Sequence, residues 1–178
     1  MIRARSLRIA ALLCAAAAPT LAAQSLESRV HAAPDGRVAF SFAARPGVCG
    51  DGRTYIQTGP NSFNGVYVGD GSGMPPCVPG PVHVVIDRAD KLPLSVRAYV
   101  GPVDSSARGV TDLGRVRAQD GVDYLLTLAQ KADGRAGRDA IFPATLADSA
   151  NTAPALIAIA RNTALPRETR EAALGSMV

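Results

Sequence analysis

The sequence predicts an α+β protein: a small antiparallel β-rich module followed by two αα hairpins. Three observations predict it. Between Val30 and about Pro102, β-branched and aromatic residues recur with period two, in runs bounded by Gly, Pro and Asp. From about Gly109 the apolar spacing lengthens to that of a helix. Two cysteines, Cys49 and Cys77, sit in turn-rich stretches of the β-like half, where a disulfide would staple a small fold. The organisation that follows is a leader over residues 1–23, a β-rich module over 24–108 and a helical region over 109–178.

The leader carries Arg3, Arg5 and Arg8 without an acid, then an apolar run over residues 9–18 and Pro19. Thr20-Leu21-Ala22-Ala23 precede Gln24 and supply the small side chains that signal peptidase requires. Positive start, short apolar middle and small-residue end together read as a cleavable secretory signal, cut after Ala22 or Ala23. The apolar run falls short of the roughly 20 residues that span a bilayer, so no stable membrane insertion is expected after cleavage. Cys14 raises the alternative of a lipoprotein, but Leu13 stands where lipidation wants a small residue. An uncleaved anchor is the other alternative. The expected location is periplasmic or secreted.

Composition bears on function chiefly by exclusion. The chain has 19 basic and 15 acidic side chains, and three of the basic ones lie in the leader. The remaining 16 basic groups nearly balance the acids, so the charge offers no argument for nucleic acid. The mature length of about 155 residues allows one compact domain or two small ones. There is no Trp, and Phe and Tyr number four each. The core must therefore be built from Ala, Leu, Val and Ile, which bury less area per residue.

The elements follow in order. Val38, Phe40 and Phe42 alternate on one face of a strand, and Thr54-Tyr55-Ile56-Gln57 and Gly65-Val66-Tyr67-Val68 are short candidate strands. Val82, Val84 and Ile86 face opposite His83, Val85 and Asp87; Leu94, Val96, Ala98 and Val100 repeat the pattern. Asp90-Lys91 would turn these last two strands into a hairpin. The stretch 69–81 is too rich in Gly and Pro for regular structure and reads as a loop stapled at Cys77. Removing Cys14 with the leader leaves the even pair Cys49–Cys77 in an oxidising compartment. The pair lacks the CxxC spacing of a redox centre and the His partners of a zinc site.

In the helical half, Asp120-Gly121-Val122-Asp123 reads as a cap opening a helix that turns Val122, Leu125, Leu126 and Ala129 to one side. Residues 133–137 break it. A second helix runs from Asp139 towards Leu146, with Pro143 kinking it or marking its start. Asn151 or Thr152 caps a third, in which Pro154 fits the first turn, and Pro166 opens a fourth. The third helix, Pro154-Ala155-Leu156-Ile157-Ala158-Ile159-Ala160-Arg161, is apolar nearly all round, which predicts burial on more than one side.

Helices three and four together resemble one HEAT repeat. The residues that carry this are Leu156, Ile159 and Ala160, then Pro166, Arg170, Ala172, Ala173 and Leu174. Thr169 replaces the usual Val, and Ala164-Leu165 stand where an Asp often caps the turn. Helices one and two form a weaker candidate repeat, so the resemblance covers about residues 120–178. With its Gly-Val-Cys-Gly-Asp-Gly and Ala-Ile-Phe-Pro-Ala-Thr-Leu-Ala-Asp-Ser stretches, the chain as a whole resembles exported bacterial HEAT-repeat proteins with a β-rich front end. It would be a short or truncated member, since a stable array usually needs three or more repeats. The resemblance implies a protein-binding surface and neither a reaction nor a cofactor.

The candidate docking residues are Arg167 and Arg170, set among Glu168 and Glu171, together with the apolar Leu174 and Met177. The expected partner is a protein of the cell envelope or a second copy of the chain. Catalytic alternatives centre on one of the two histidines. His83 lies in a strand, where a hydrolase could be assembled from it, Asp87 and a serine, but nothing in the spacing selects the serine. His31 falls just past the leader, where a flexible terminus is expected. Neither G-x-S-x-G nor H-E-x-x-H occurs. Gly69-Asp70-Gly71-Ser72-Gly73 imitates half of a dinucleotide loop but lacks its third glycine and its βαβ context. Asp51, Asp70 and the Asp133/Asp139 pair offer loop oxygens for calcium without the twelve-residue pattern. No catalytic residue and no metal ligand is assigned.

Overall fold

The computed structural model describes residues 24–59, 62–65, 76–103, 109–132 and 134–177. The expected signal peptide, Cys14, the candidate strand residues Val66 to Val68, the 69–73 glycine stretch and Asp133 lie outside the described residues. The chain opens with helix α1 (Leu26–Ala32), capped by the Ser25 hydroxyl, which accepts from the Ser28 amide. Leu26 and Val30, one turn apart, are its buried residues. His31, expected in a flexible terminus, instead lies on the exposed side of this helix.

Among the described residues eight strands follow: β1 (Gly36–Phe42), β2 (Cys49–Gly50), β3 (Tyr55–Gly59), β4 (Ser62–Gly65), β5 (Val78–Pro79), β6 (Val82–Ala89), β7 (Leu92–Val100) and β8 (Val110–Arg115). They form a main sheet in the order β7-β6-β1-β8 and a smaller one in the order β4-β3-β2-β5. The alternation read from β1 and β6 is realised: Val38, Phe40, Phe42, Val82, Val84 and Ile86 are all buried. Asp90 and Lys91, both at positive φ, make the two-residue turn between β6 and β7. Arg88 continues the inward side of β6 and is only 5% exposed. Its guanidinium donates to the Val30 and Ala33 carbonyls, capping the carbonyl end of α1.

Strand β8 departs from expectation. It lies where a helical period was anticipated, and it runs parallel to β1, so the main sheet is mixed rather than wholly antiparallel. Once β1 pairs with β6, its other edge still carries free amide and carbonyl groups. That edge recruits 110–115, whose own pattern is too short to declare a strand. Cys49 and Cys77 form a disulfide with a Cα–Cα distance of 5.1 Å, tying β2 to the segment entering β5.

Five helices follow: α2 (Ala118–Lys131), α3 (Gly134–Asp139), α4 (Ile141–Thr145), α5 (Ala153–Arg161) and α6 (Arg167–Gly175). Helix α2 starts earlier than its expected cap: Arg117 takes the cap position, and Asp120 lies in the first turn, bonded to the Arg117 guanidinium at 2.8 Å. Its apolar stripe of Val122, Leu125, Leu126 and Ala129 is buried as expected. The anticipated break over 133–137 is narrower than supposed. Gly134, at positive φ, admits a new short helix at once, and buried Gly137 allows that helix to approach the Ala132 carbonyl. The second helix expected from Asp139 towards Leu146 corresponds to the shorter α4, whereas α3 occupies the stretch expected to be a break; Pro143 falls in the first turn of α4, where its missing amide is not needed.

The sheet's inner face and the helices share one continuous core, from Val38, Phe40 and Phe42 through Leu125 and Ile141 to Ile159 and Ala173. Helix α5 contradicts the expectation of burial on more than one side. Only Leu156 and Ile159 are buried, whereas Ala153, Pro154, Ile157 and Ala158 are exposed. It is an outer helix with an apolar face turned outward.

Candidate functional site

Two surfaces merit functional attention, one on the terminal helices and one on the open side of the main sheet. On α6, Arg167 bonds Glu171 one turn away at 2.7 Å, with both side chains exposed. Such an exposed pair is screened by water and salt and adds little to the helix. Arg170 is half-buried, with its Nε buried and unbonded among the described residues. Leu174 is 54% and Met177 40% exposed. Three of the four docking residues predicted from sequence therefore reach the surface. Beside them a groove of about 510 Å³ runs between β7 and helices α3, α4 and α6, lined by Val96, Ala98, Phe142 and Ala172 together with the charged Arg135, Arg138 and Asp139.

The open side of the sheet is built in rows across the strands. Asp112, Ala39, Val85 and Arg97 form one row through β8, β1, β6 and β7. Ser41, His83 and Tyr99 form the next, and Arg37 faces Asp87 on the other side. A wall rises at the end of these rows because the small sheet is pressed against the end of β7. The Gly52 amide donates to the Val100 carbonyl at 2.7 Å. A side chain at Gly52 would place its Cβ 2.1 Å from the Pro102 carbonyl oxygen, and Gly52 itself has φ +76. Only glycine fits there. The result is a cavity of about 360 Å³ lined by Arg37, Arg53, Arg97, His83, Tyr99 and Asp112, with Ala39, Val85 and Val110 at its base.

Its electrostatics follow from the bonds around it. Asp87 accepts from Ser95 at 2.7 Å and from Arg97 at 2.5 Å. Burial pushes its carboxyl up, but those hydrogen bonds and the charges of Arg97 and Arg37 outweigh it, leaving the group below its ordinary value. Burial lowers the His83 imidazole, opposed by the charge of Asp112, with a net lowering that favours the neutral ring. Asp112 accepts from the Gly114 amide at 2.7 Å. No hydrogen bond joins Ser41, His83 and Asp112 among the described residues, although Ser41 stands directly opposite His83.

Asp51, a candidate calcium ligand, serves a different purpose. Its Oδ1 accepts from the amides of Arg53, Thr54 and Tyr55, which holds the turn carrying Arg53. Burial acts upward on this carboxyl and the amides act downward, with a net lowering. Asp139 is held by Arg135 and Arg138. No group of three metal-ligating side chains occurs among the described residues.

The arginines and Tyr99 of the cavity escaped the sequence reading. Each occupies an outward position on an alternating strand or a turn, a signal that was present. Their convergence depends on the order β7-β6-β1-β8, which alternation does not encode. Compared with known protein families, curated proteins and solved structures, the chain matches none.

Proposed function

We propose that this is an exported, non-enzymatic binding protein that docks a protein partner of the cell envelope on its terminal helical pair. The observation that carries the reading is the exposed apolar surface of the terminal helical pair: on α5 Ile157 is 39% exposed beside Ala153, Pro154 and Ala158, and Leu174 on α6 and Met177 just past its end are exposed as well. An amphipathic helix normally turns such residues inward, and contiguous exposed apolar surface marks interaction sites. The resemblance of residues 120–178 to HEAT repeats supports the same use, since HEAT surfaces bind proteins. The Cys49–Cys77 disulfide and the signal-like leader support the exported location.

The test is affinity capture from the cell envelope with the tagged protein and with the Leu174→Glu/Met177→Glu variant. The expected result is a retained partner that the double variant loses while remaining folded. His83→Ala should leave retention unchanged. A variant that loses several kcal/mol of stability, combined with a wild type that is monomeric and retains nothing, would identify the patch as core and end the reading. Concentration-dependent dimerisation abolished by the double variant would instead make a second copy the partner.

A further inference from the structure

We propose that the open face of the main sheet is a binding site for a small organic anion, a carboxylate or phosphate ester on an apolar body, held between Arg37, Arg53 and Arg97. The site is separate from the helical docking surface and does not depend on it.

The first support is the pattern of the face itself. The exposed side of a sheet is normally polar at every second residue. Here the central cross-strand pair is Ala39 and Val85, both half-buried, and the polar groups form a ring around it. An apolar floor with a polar rim is the composition of a ligand site, and about 360 Å³ falls at the small end of the usual range. The second support is charge. Among the described residues the guanidinium groups of Arg37, Arg53 and Arg97 line the cavity with the carboxylate of Asp112, one oxygen of which already accepts from the Gly114 amide, while Asp87, bonded to Arg97, lies just outside it.

These arginines come from three different places: β1, the turn after β2, and β7. Neither a single amphipathic strand nor a solvated helix face accounts for their convergence. Arg97 shares Asp87, yet a guanidinium carries five N–H donors and can serve a carboxylate and a ligand oxygen together. Arg53 is placed by the Asp51 turn at the rim of the wall. His83 and the Tyr99 hydroxyl, neighbours in one row beside Arg97, add hydrogen-bonding groups to the rim. The apolar body would lie on Ala39 and Val85 with its anionic end towards the arginines.

Heteronuclear NMR titration of the disulfide-bonded protein with phenyl phosphate, benzoate and inorganic phosphate tests this. Phenyl phosphate or benzoate should shift the resonances of Ala39, Val85 and Tyr99 saturably, and which of the two binds tighter separates a phosphate from a carboxylate ligand. Binding should weaken with salt. Arg53→Gln should weaken it about tenfold, the loss expected for one charged hydrogen bond, while Asp112→Asn should tighten it. Arg167→Gln, on the helical surface, should change nothing. Inorganic phosphate binding as tightly as phenyl phosphate would overturn the role of the apolar floor. Absence of saturable shifts, or affinity indifferent to both Arg53→Gln and Asp112→Asn, would overturn the site. Partner capture through Leu174 and Met177 reads out independently, so the two proposals fail separately.

Discussion

Replacing Gly121 by alanine sets helix propensity against packing, and the structure decides the sign. Gly121 lies in the first turn of α2, and an added Cβ would stand 2.7 Å from Cδ1 and 3.1 Å from Cε1 of Phe42. Carbon atoms prefer about 3.5–4.0 Å, so the ring must move by nearly an ångström. It has little room. Phe42 is fully buried, its ring centroid lies 6.3 Å from that of Phe40, and Phe40 meets the ring of Tyr124 edge-on at 5.9 Å. Alanine in place of glycine favours a helix by about 1 kcal/mol, whereas overpacking a filled core costs about 1–3 kcal/mol. The expected net effect is a loss of about 1 kcal/mol. In a Phe42→Val background the obstructing ring atoms are gone, and the same change should stabilise by about 1 kcal/mol. The two backgrounds therefore differ by about 2 kcal/mol, well beyond the ~0.5 kcal/mol within which independent sites add. Urea unfolding of the four proteins, with slopes checked for constancy, measures this. A Gly121→Ala protein that is more stable than wild type, with an additive cycle, would show that the ring yields freely and that the contact exerts no constraint.

Two further outcomes are expected. Reducing Cys49–Cys77, which are 28 residues apart, should lower stability by about 3.5 kcal/mol by the loop-entropy relation, read as a shift of the denaturation midpoint; two alkylatable thiols in protein collected under oxidising conditions would refute the pairing. The Tyr124 hydroxyl, raised by burial to about 12, should ionise two units above an ordinary tyrosine in a phenolate absorbance titration, and because the folded value is the higher one, its contribution to stability is complete below about 10 and is lost as pH rises from there to about 12.

What the sequence disclosed and withheld divides along physical lines. Where one face of an element is buried and the other is wet, composition records it, as in β1, β6 and the stripe of α2. Turn chemistry was equally plain at Asp90-Lys91, and Pro154 marked the first turn of α5. Helix α1 was missed because its amphipathic pattern spans only Leu26 and Val30, directly after the expected leader. Strand β8 was missed because its conformation is imposed by the edge of β1 rather than by its own residues. The outward face of α5 was misjudged for a related reason: an apolar residue declares a preference for burial but not whether a neighbour is there to provide it. The ring of arginines around Ala39 and Val85 depended on the strand order.

The inner place of β1 in the main sheet governs when the protein can form. β1 leaves any pore or ribosome early when the chain advances amino-end first, yet it pairs with β6 and β8, both far later in the chain. Val38, Phe40 and Phe42 have no native cover until those strands and α2 arrive, so closure of long loops must precede most of the favourable burial. The fold is thus dominated by non-local pairings and should assemble slowly and only after Arg115 has emerged. A chain with this wiring stays threadable for most of its passage, and one interrupted before β8 presents the bare edge of β1 as a template for aggregation.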